Sequence, residues 1–150
     1  MPAAEPYLDT SALAKRYLAE PGSDDFDDFL RRRPRALISR LTAVELRCLL
    51  KRRLRTREID AGYERTALAD FADDIRRGYF QIEPLADRHA LLASDLVDQL
   101  PDLSLRTLDA LHLAIAQTIG AGVFATADLA MARAAEVLGF TVVTFGEGTS

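Results

Sequence analysis

The sequence predicts an α/β fold, a three-layer α/β/α sandwich with a central, mostly parallel five-stranded sheet. Five short apolar runs alternate with longer segments in which apolar residues recur at helical spacing. Strands that alternate with helices are joined by crossover connections, which build parallel sheets with helices on both faces. A chain of 150 residues has the length of one domain, and we expect a single domain over residues 1–150.

The first half of the chain is predicted to form two strands and four helices. Pro6 leads into the first strand, and Pro21-Gly22 ends the helix that follows it. Ser23 is the predicted cap of the second helix, because a serine side chain can accept free N–H groups of the first turn. Two consecutive helices before the third strand predict a helical hairpin that projects from one edge of the sheet. The predicted strands are 7–9 and 36–39, and the predicted helices are 10–18, 23–30, 42–55 and 60–77.

The second half is predicted to form three strands and three helices. Gly78, Gly120 and Gly139 each follow a predicted helix, and this is the position at which glycine often ends one. A polar tail, 146–150, closes the chain. The predicted strands are 79–82, 123–125 and 140–145, and the predicted helices are 86–98, 108–119 and 128–138.

The overall charge gives no general attraction to nucleic acid. The chain has 23 acidic and 19 basic residues, for a net charge of −4. The basic residues are unevenly placed, however, and five of the seven positions in 51–57 are lysine or arginine. Such a local patch can bind phosphates on an acidic protein, and a solvated helix end is the alternative interpretation.

Composition also restricts the compartment and the metal chemistry. Cys48 is the only cysteine and there are two histidines, which excludes an intramolecular disulfide and a cysteine-rich zinc site. Residues 1–6 have neither the cationic start nor the apolar stretch of a signal peptide. No segment approaches the roughly 18 apolar residues that a membrane span needs. We therefore expect a cytoplasmic protein with no membrane association.

Four carboxylates lie at the ends of predicted strands or near the starts of predicted helices. Asp9 ends strand one, Glu45 opens the helix after strand two, Asp109 opens the helix before strand four, and Asp128 follows strand four. Ligands of open α/β sheets bind beyond the carboxyl ends of the strands. We therefore expect these four side chains to lie at one edge of the sheet.

Each carboxylate also has a purely structural interpretation. Asp9 can open a turn, Glu45 can complete a capping box with Thr42, Asp109 can follow a Thr107 cap, and Asp128 can be a cap itself. If they converge, two carboxylates about 4 Å apart repel by ~4 kcal/mol at an effective dielectric of 20. Either their pKa values rise or a cation binds. Hard oxygen ligands favour Mg²⁺ or Mn²⁺, and such a site is typical of phosphodiester hydrolysis.

Four motifs along the chain resemble those of PIN domains. They are Tyr7-Leu8-Asp9-Thr10-Ser11-Ala12-Leu13, then Thr42 to Glu45 with Leu46, then Leu108-Asp109-Ala110-Leu111-His112-Leu113-Ala114, and finally Thr126-Ala127-Asp128 with Ala134-Ala135-Glu136 and Leu138-Gly139. The third motif is the most distinctive. The resemblance covers essentially the whole chain, in order and at family-like spacing.

The resemblance to PIN domains implies a PIN-like α/β/α fold and a Mg²⁺-dependent endoribonuclease, with Mn²⁺ as a second candidate ion. It implies RNA as substrate and frequent homodimers. We expect single-stranded regions to be cleaved, because sequence preference would come from unstacked bases. Members of this size are often VapC-type toxins that a cognate antitoxin holds inactive. By this resemblance the catalytic, metal-binding residues are Asp9, Glu45, Asp109 and Asp128, and the supporting residues are Thr10, Ser11 and Thr126.

Further expectations concern the surroundings of these acids. Arg52, Arg53 and Arg55 are candidates for binding the RNA backbone. Some PIN domains carry another acidic residue just after the last motif aspartate, whereas Leu129 to Ala132 stand there in this chain. The choice between one and two metal ions is therefore open. His112 is expected to pack or to support a ligand rather than to act as a general base.

Three other functions compete with this one. A non-catalytic PIN-like module that binds RNA or protein would not need all four acids. A phospho-acceptor receiver domain would need a lysine near its last strands, but the only lysines are Lys15 and Lys51. A phosphatase of the common aspartate type would carry a second aspartate two residues after Asp9, where Ser11 stands.

Overall fold

The computed structural model describes residues 5–146. Over this range five strands alternate with seven helices, close to the predicted order. The strands are β1 (Pro6–Leu8), β2 (Ala36–Ser39), β3 (Phe80–Glu83), β4 (Val123–Thr126) and β5 (Thr141–Thr144). The helices are α1 (Thr10–Tyr17), α2 (Ser23–Arg31), α3 (Arg40–Arg55), α4 (Ala61–Arg76), α5 (Asp87–Gln99), α6 (Thr107–Thr118) and α7 (Leu129–Val137).

The five strands form one sheet in the order β3-β2-β1-β4-β5. Every neighbouring pair of these strands is parallel. The chain builds outward from β1 to β3 on one side and then crosses to β4 on the other. The strand order therefore reverses between β1 and β4, and this is the position at which open α/β sheets bind their ligands.

Alternate strand residues point to opposite faces of the sheet and divide the core in two. Leu8 and Ile38 lie in one apolar cluster with buried side chains of α1 to α4. Tyr7 and Phe124 lie in the other, with buried side chains of α5 to α7. Because successive strand residues face opposite ways, the two clusters lie on the two faces of the sheet. The predicted three-layer sandwich is confirmed.

The hairpin of α3 and α4 is packed into the core instead of projecting from it. Leu46 and Leu50 of α3 and Ala67 and Phe71 of α4 belong to the same buried cluster as α1. The expectation of a projecting hairpin is therefore wrong, because one face of each helix is buried in the core. The physical reason is the apolar stripe on each helix, which packs over β2 and β3.

The cap of α2 also differs from the prediction. Gly22, not Ser23, occupies the N-cap position, with φ at 92°. Ser23 instead donates from Oγ to Leu18 O at 2.7 Å and accepts from Glu20 N at 3.1 Å. A Cβ at Gly22 would lie 2.7 Å from the backbone of Gly146. Positive φ and this close approach together require glycine here.

Residues 1–4 and 147–150 lie outside the described range. The interpretation of residues 1–6 as lacking a signal peptide and of 146–150 as a polar tail therefore falls largely outside it. None of the helices in the described part is long and apolar enough to cross a membrane.

Candidate active site

Asp9 lies directly after β1 and caps α1. Its Oδ1 accepts hydrogen bonds from Ala12 N at 3.0 Å and Ser11 Oγ at 2.7 Å, and its Oδ2 accepts one from Thr126 Oγ1 at 2.5 Å. The residue is only 4% exposed. Burial raises the pKa of Asp9, and the charge of protonated His112 and the three hydrogen bonds only partly offset it. The carboxyl group is thus held in place by partners from two distant parts of the chain.

Ser11 and Thr126, both predicted as supporting residues, join the end of β4 to α1. Their hydroxyl oxygens lie 3.2 Å apart. Ser11 Oγ accepts from Ala127 N at 2.8 Å, and Thr126 Oγ1 accepts from Asp128 N at 3.0 Å. Each hydroxyl can therefore donate to Asp9 while accepting a backbone N–H, which orients the carboxylate and the turn after β4 together.

Glu45 lies in the second turn of α3 and is not part of a capping box. The box is formed by Ser39 and Thr42: Ser39 Oγ accepts from Thr42 N at 3.4 Å, and Thr42 Oγ1 accepts from Ser39 N at 3.2 Å. Helix α3 therefore begins at Arg40, two residues earlier than predicted. Glu45 is freed from the backbone, and its Oε1 accepts from Thr10 Oγ1 at 2.7 Å.

His112 connects Glu45 to the buried interior. Its Nε2 lies 2.5 Å from Glu45 Oε1, and its Nδ1 lies 2.7 Å from the Tyr7 hydroxyl. Burial raises the pKa of Glu45, but the hydrogen bond and charge of His112 and the hydrogen bond from Thr10 outweigh it and leave the pKa below its usual value. Tyr7 was not singled out in the sequence, although it opens the first motif.

Asp109 and Asp128 both accept backbone hydrogen bonds at the start of a helix. Asp109 Oδ2 accepts from Arg106 N at 3.2 Å, so Arg106 and not Thr107 is the N-cap residue of α6. Asp128 Oδ1 accepts from Ala130 N at 2.9 Å and Met131 N at 3.2 Å at the start of α7. The capping interpretation is correct for Asp128, whereas Asp109 lies in the first turn of α6 and bonds back to the cap residue Arg106 instead of following a Thr107 cap. Neither contact excludes a second role for the oxygen that each aspartate leaves without a hydrogen bond.

A single cleft of about 430 Å³ contains all four predicted acids in its lining. They come from four separate segments, as the strand order requires. Within residues 5–146, however, no group of three or more His, Cys, Asp or Glu side chains is close enough to hold a metal ion. The four acids thus share one cleft without forming a closed coordination shell. The cleft is lined by Asp9, Thr10, Ser11, Glu45, Cys48, Leu49, Arg52, Arg106, Leu108, Asp109, His112, Asp128 and Met131.

The donor chemistry of this cleft fits a hard divalent cation. Among the described residues, Glu45 Oε2, Asp109 Oδ1 and Asp128 Oδ2 accept no hydrogen bond, whereas both oxygens of Asp9 do. Three carboxylate oxygens are therefore open for a ligand. Oxygen donors of this kind are the ones that Mg²⁺ and Mn²⁺ prefer.

The predicted RNA-binding arginines separate into different environments. Arg52 is exposed and lines the cleft. Arg53 instead forms ion pairs with Glu20 at 3.3 Å and Glu58 at 3.5 Å. Arg55 is exposed and, within the described chain, does not line the cleft. Arg106 lines the cleft and was missed, although it stands just before the third motif.

Comparison with known proteins assigns the family. The family model of the PIN domain matches residues 7–137 of this chain. Ribonuclease VapC46 of Mycobacterium tuberculosis is 39% identical over 140 residues, which cover 91% of this chain and 95% of the relative. The chain therefore belongs to the PIN-domain family. The relative at 39% identity is itself a VapC-type ribonuclease.

Solved structures show the same fold. VapC20 of Mycobacterium tuberculosis, described as a Sarcin-Ricin loop cleaving toxin, matches with a TM-score of 0.71 at 17% identity, over 93% of this chain and 99% of its own. FitAcB of Neisseria gonorrhoeae matches with a TM-score of 0.72 at 17% identity, over 93% and 96%. A toxin–antitoxin complex of Klebsiella pneumoniae matches with a TM-score of 0.66 at 20% identity, over 93% and 97%.

These comparisons confirm the sequence-based prediction of a VapC-type PIN ribonuclease toxin of a toxin–antitoxin system. They also confirm the prediction of an enzyme. Ribonucleases of the PIN family are generally metal-dependent.

Proposed function

We propose that this protein is an endoribonuclease that uses Mg²⁺ to cleave single-stranded regions of RNA. The observation that carries the proposal is the cleft of about 430 Å³ that Asp9, Glu45, Asp109 and Asp128 line together. Acids from four separate segments are gathered beside the reversal of strand order, where α/β sheets bind ligands. Capping alone accounts for Asp9, Asp109 and Asp128 one by one, but it does not account for Glu45 or for their shared cleft.

In this proposal the four acids hold the cation, and Mn²⁺ could take the place of Mg²⁺. When bound, the ion supplies positive charge that stabilises the charge developing on the scissile phosphate. Glu45, Asp109 and Asp128 each offer an open oxygen. Asp9 contributes a carboxylate already oriented by Ser11 and Thr126.

The remaining polar residues bind substrate or orient the acids. Among the described residues, Arg52 and Arg106 are the arginines that line the cleft, and they are suited to contact phosphates of the RNA backbone. Thr10 orients Glu45 through its hydrogen bond of 2.7 Å. An unpaired strand suits an open cleft of this kind, because its flexible backbone can bend toward the acids and its bases are free to be recognised.

The proposal extends to partners and organisation. A cognate antitoxin is the expected protein partner, supported by the likeness to the toxin–antitoxin complex of Klebsiella pneumoniae and to DNA-bound VapBC of Salmonella typhimurium. We further propose a homodimer of single-domain subunits, each spanning residues 1–150. A cytoplasmic location follows from the RNA substrate.

The test uses purified protein free of antitoxin and end-labelled RNA in single-stranded and duplex forms. We expect cleavage of the single strand with Mg²⁺, its loss with EDTA, and its recovery when Mg²⁺ is restored. Asp9→Asn and Asp109→Asn should each abolish cleavage while the protein stays folded. Asp102→Asn, an exposed aspartate in the loop before α6, is the control and should cleave normally.

Three results would count against the proposal or its residue roles. RNA binding without cleavage by the wild-type protein in Mg²⁺ would favour the non-catalytic binding module. Near-normal cleavage by Asp109→Asn would remove that residue from the mechanism. Unfolding of Asp9→Asn or Asp109→Asn would indicate that the caps of α1 and α6 are their main role.

A further inference from the structure

A buried histidine contacts Oε1 of Glu45, the carboxylate oxygen that also accepts from Thr10. His112 is 3% exposed, and its two ring nitrogens contact different partners. Nε2 lies 2.5 Å from Glu45 Oε1, and Nδ1 lies 2.7 Å from the Tyr7 hydroxyl. Both nitrogens are therefore occupied, and the ring, which itself borders the cleft, is held between Glu45 and the buried Tyr7.

The contacts continue behind Tyr7 into the start of α3. The Tyr7 hydroxyl lies 2.9 Å from Ser39 Oγ and 3.4 Å from Thr42 Oγ1. Ser39 and Thr42 are the two members of the capping box that starts α3, the helix that carries Glu45. A hydrogen-bond network thus runs from Glu45 through His112 and Tyr7 to the capping box of α3, the helix that carries Glu45.

The chemistry of these groups determines which atom donates and which accepts in each hydrogen bond of this network. A carboxylate only accepts hydrogen bonds, so His112 Nε2 must donate to Glu45 Oε1. In the neutral ring Nδ1 then accepts the proton of Tyr7, whose oxygen accepts from Ser39. In the protonated ring Nδ1 donates to the Tyr7 oxygen instead. Donation from Nε2 to Glu45 is common to both states.

Two donors from different helices therefore hold one oxygen of Glu45. His112 Nε2 and Thr10 Oγ1 both contact Oε1, at 2.5 and 2.7 Å. A glutamate side chain on a helix otherwise samples several rotamers. With Oε1 held by two partners, Oε2 is left as the oxygen that accepts no hydrogen bond among the described residues and is free for a ligand.

We propose that His112 is the positioning residue for Glu45, donating from Nε2 to Oε1 so that Oε2 is presented to the cation and the RNA phosphate. This inference rests on the proposed metal-dependent nuclease function. His112 itself contacts neither substrate nor cation in this role. Partners that orient a metal ligand typically change metal affinity or activity by about 10–100-fold when they are removed.

The first experiment compares two substitutions of the same histidine. In His112→Gln the side-chain amide can replace the Nε2 donor toward Glu45, whereas in His112→Asn it reaches only the Nδ1 position. We expect His112→Asn to weaken Mn²⁺ binding by about 10–100-fold in calorimetry, and His112→Gln to stay within a few-fold of wild type. The kcat for RNA cleavage should follow the same order, while the KM for RNA stays unchanged.

The other buried histidine provides the control. His89 is fully buried in α5, and its Nδ1 accepts from Ala86 N at 3.0 Å, a contact that asparagine can reproduce. His89→Asn should leave Mn²⁺ affinity unchanged. Equal losses in His112→Gln and His112→Asn would indicate packing alone, and unchanged affinity in folded His112→Asn would equally overturn the proposal.

A second measurement does not depend on metal or on activity. In nitrogen NMR spectra of the metal-free protein, His112 Nε2 should carry a proton, and that proton should be shifted downfield by its short hydrogen bond. The shift should vanish in Glu45→Ala. An unprotonated Nε2, or a proton unaffected by Glu45→Ala, would overturn the positioning role. If the NMR signature is present but the wild-type protein binds no Mn²⁺, the proposed metal-dependent function fails instead.

Discussion

Thr126 Oγ1 donates a 2.5 Å hydrogen bond to Asp9 Oδ2, although 117 positions separate the two residues in the chain. The bond exists because β1 and β4 are parallel neighbours, with Leu8 beside Ala125. Residues that follow these strands therefore emerge side by side. The same hydroxyl accepts the N–H of Asp128, so one side chain links two of the four acids.

Replacing Thr126 with valine should weaken cleavage while preserving the shape of the side chain. The substitution removes a donor to the ionised form of Asp9 and leaves the Asp128 N–H without its acceptor. We expect a loss of about 10–100-fold in kcat/KM and of roughly 1–3 kcal/mol in the free energy of unfolding. Cleavage assays and urea unfolding measure the two effects.

Thr118→Val is the matched control for this substitution. Within residues 5–146, Thr118 Oγ1 donates only to Ala114 O, one turn earlier in α6, and lies far along that helix from the cleft residue Asp109. It should cleave RNA like the wild type. Equal cleavage by Thr126→Val and Thr118→Val would restrict Thr126 to a structural role.

The pH dependence of stability should reveal the buried carboxyl of Asp9. Burial raises its pKa in the folded state above the ordinary value of 3.8. Above the folded-state pKa the buried charge destabilises the native protein. As pH falls through that pKa, the folded state takes up a proton first, and the penalty disappears by the ordinary value.

Asp9→Asn should therefore melt at a higher temperature than wild type in EDTA at neutral pH. The difference should shrink as the pH is lowered toward the ordinary range of aspartate. Glu45 works in the opposite direction: its lowered pKa stabilises the native state above the ordinary value of 4.5, and this contribution is lost at lower pH in both proteins alike. A wild-type protein that is more stable than Asp9→Asn at neutral pH would contradict a net penalty from Asp9.

Magnesium should stabilise the wild-type protein against heating. At 100 times its dissociation constant a ligand adds about 2.7 kcal/mol, which corresponds to roughly 5–10 °C in Tm for a domain of this size. Asp128→Asn should shrink this shift, because it removes one charged oxygen from the cleft. Asparagine is itself a good N-cap, so the cap of α7 should survive.

Melting curves of wild type and Asp128→Asn, each with EDTA and with saturating Mg²⁺, measure this prediction. With EDTA, Asp128→Asn should melt no lower than wild type, since it relieves repulsion among the acids. A mutant that melts lower in EDTA yet keeps the full Mg²⁺ shift would leave Asp128 as a cap alone.

The two neighbouring arginines of α3 should behave differently. Arg52 lines the cleft, whereas Arg53 is paired with Glu20 and Glu58. Arg52→Ala should weaken RNA binding and lower the slope of log affinity against log salt by roughly 0.7, the value for one lost contact to single-stranded nucleic acid. Arg53→Ala should leave the slope unchanged and lower stability instead. Binding titrations over a series of salt concentrations measure both slopes, and equal slopes in the two variants would contradict the assignment.

Much of the fold was readable from local patterns. The run Ala36–Ser39 was predicted with its observed bounds, and the other elements begin or end within two residues of their predicted positions. Apolar periodicity and the glycines after helices are properties of neighbouring residues. Both can therefore be recognised in a single sequence.

Capping was harder to predict, because several candidates stand close together at each helix start. The N-cap of α3 is Ser39 rather than Thr42, that of α2 is Gly22 rather than Ser23, and that of α6 is Arg106 rather than Thr107. The first residue of a helix depends on the residue at which the preceding strand or turn ends. For α3 that point is set by the pairing of Ser39 with Glu83 in the sheet.

The sequence by itself determined the alternation of strands and helices, the motif order and the identity of the four acids. Only the tertiary structure decided that Arg52 and not Arg53 faces the cleft, and that Tyr7, Glu45 and His112 form one hydrogen-bonded set. His112 is 105 residues from Tyr7 and 67 from Glu45. Contacts at such separations depend on strand order and on how the two helical layers pack on the sheet, and no local pattern of residues encodes these.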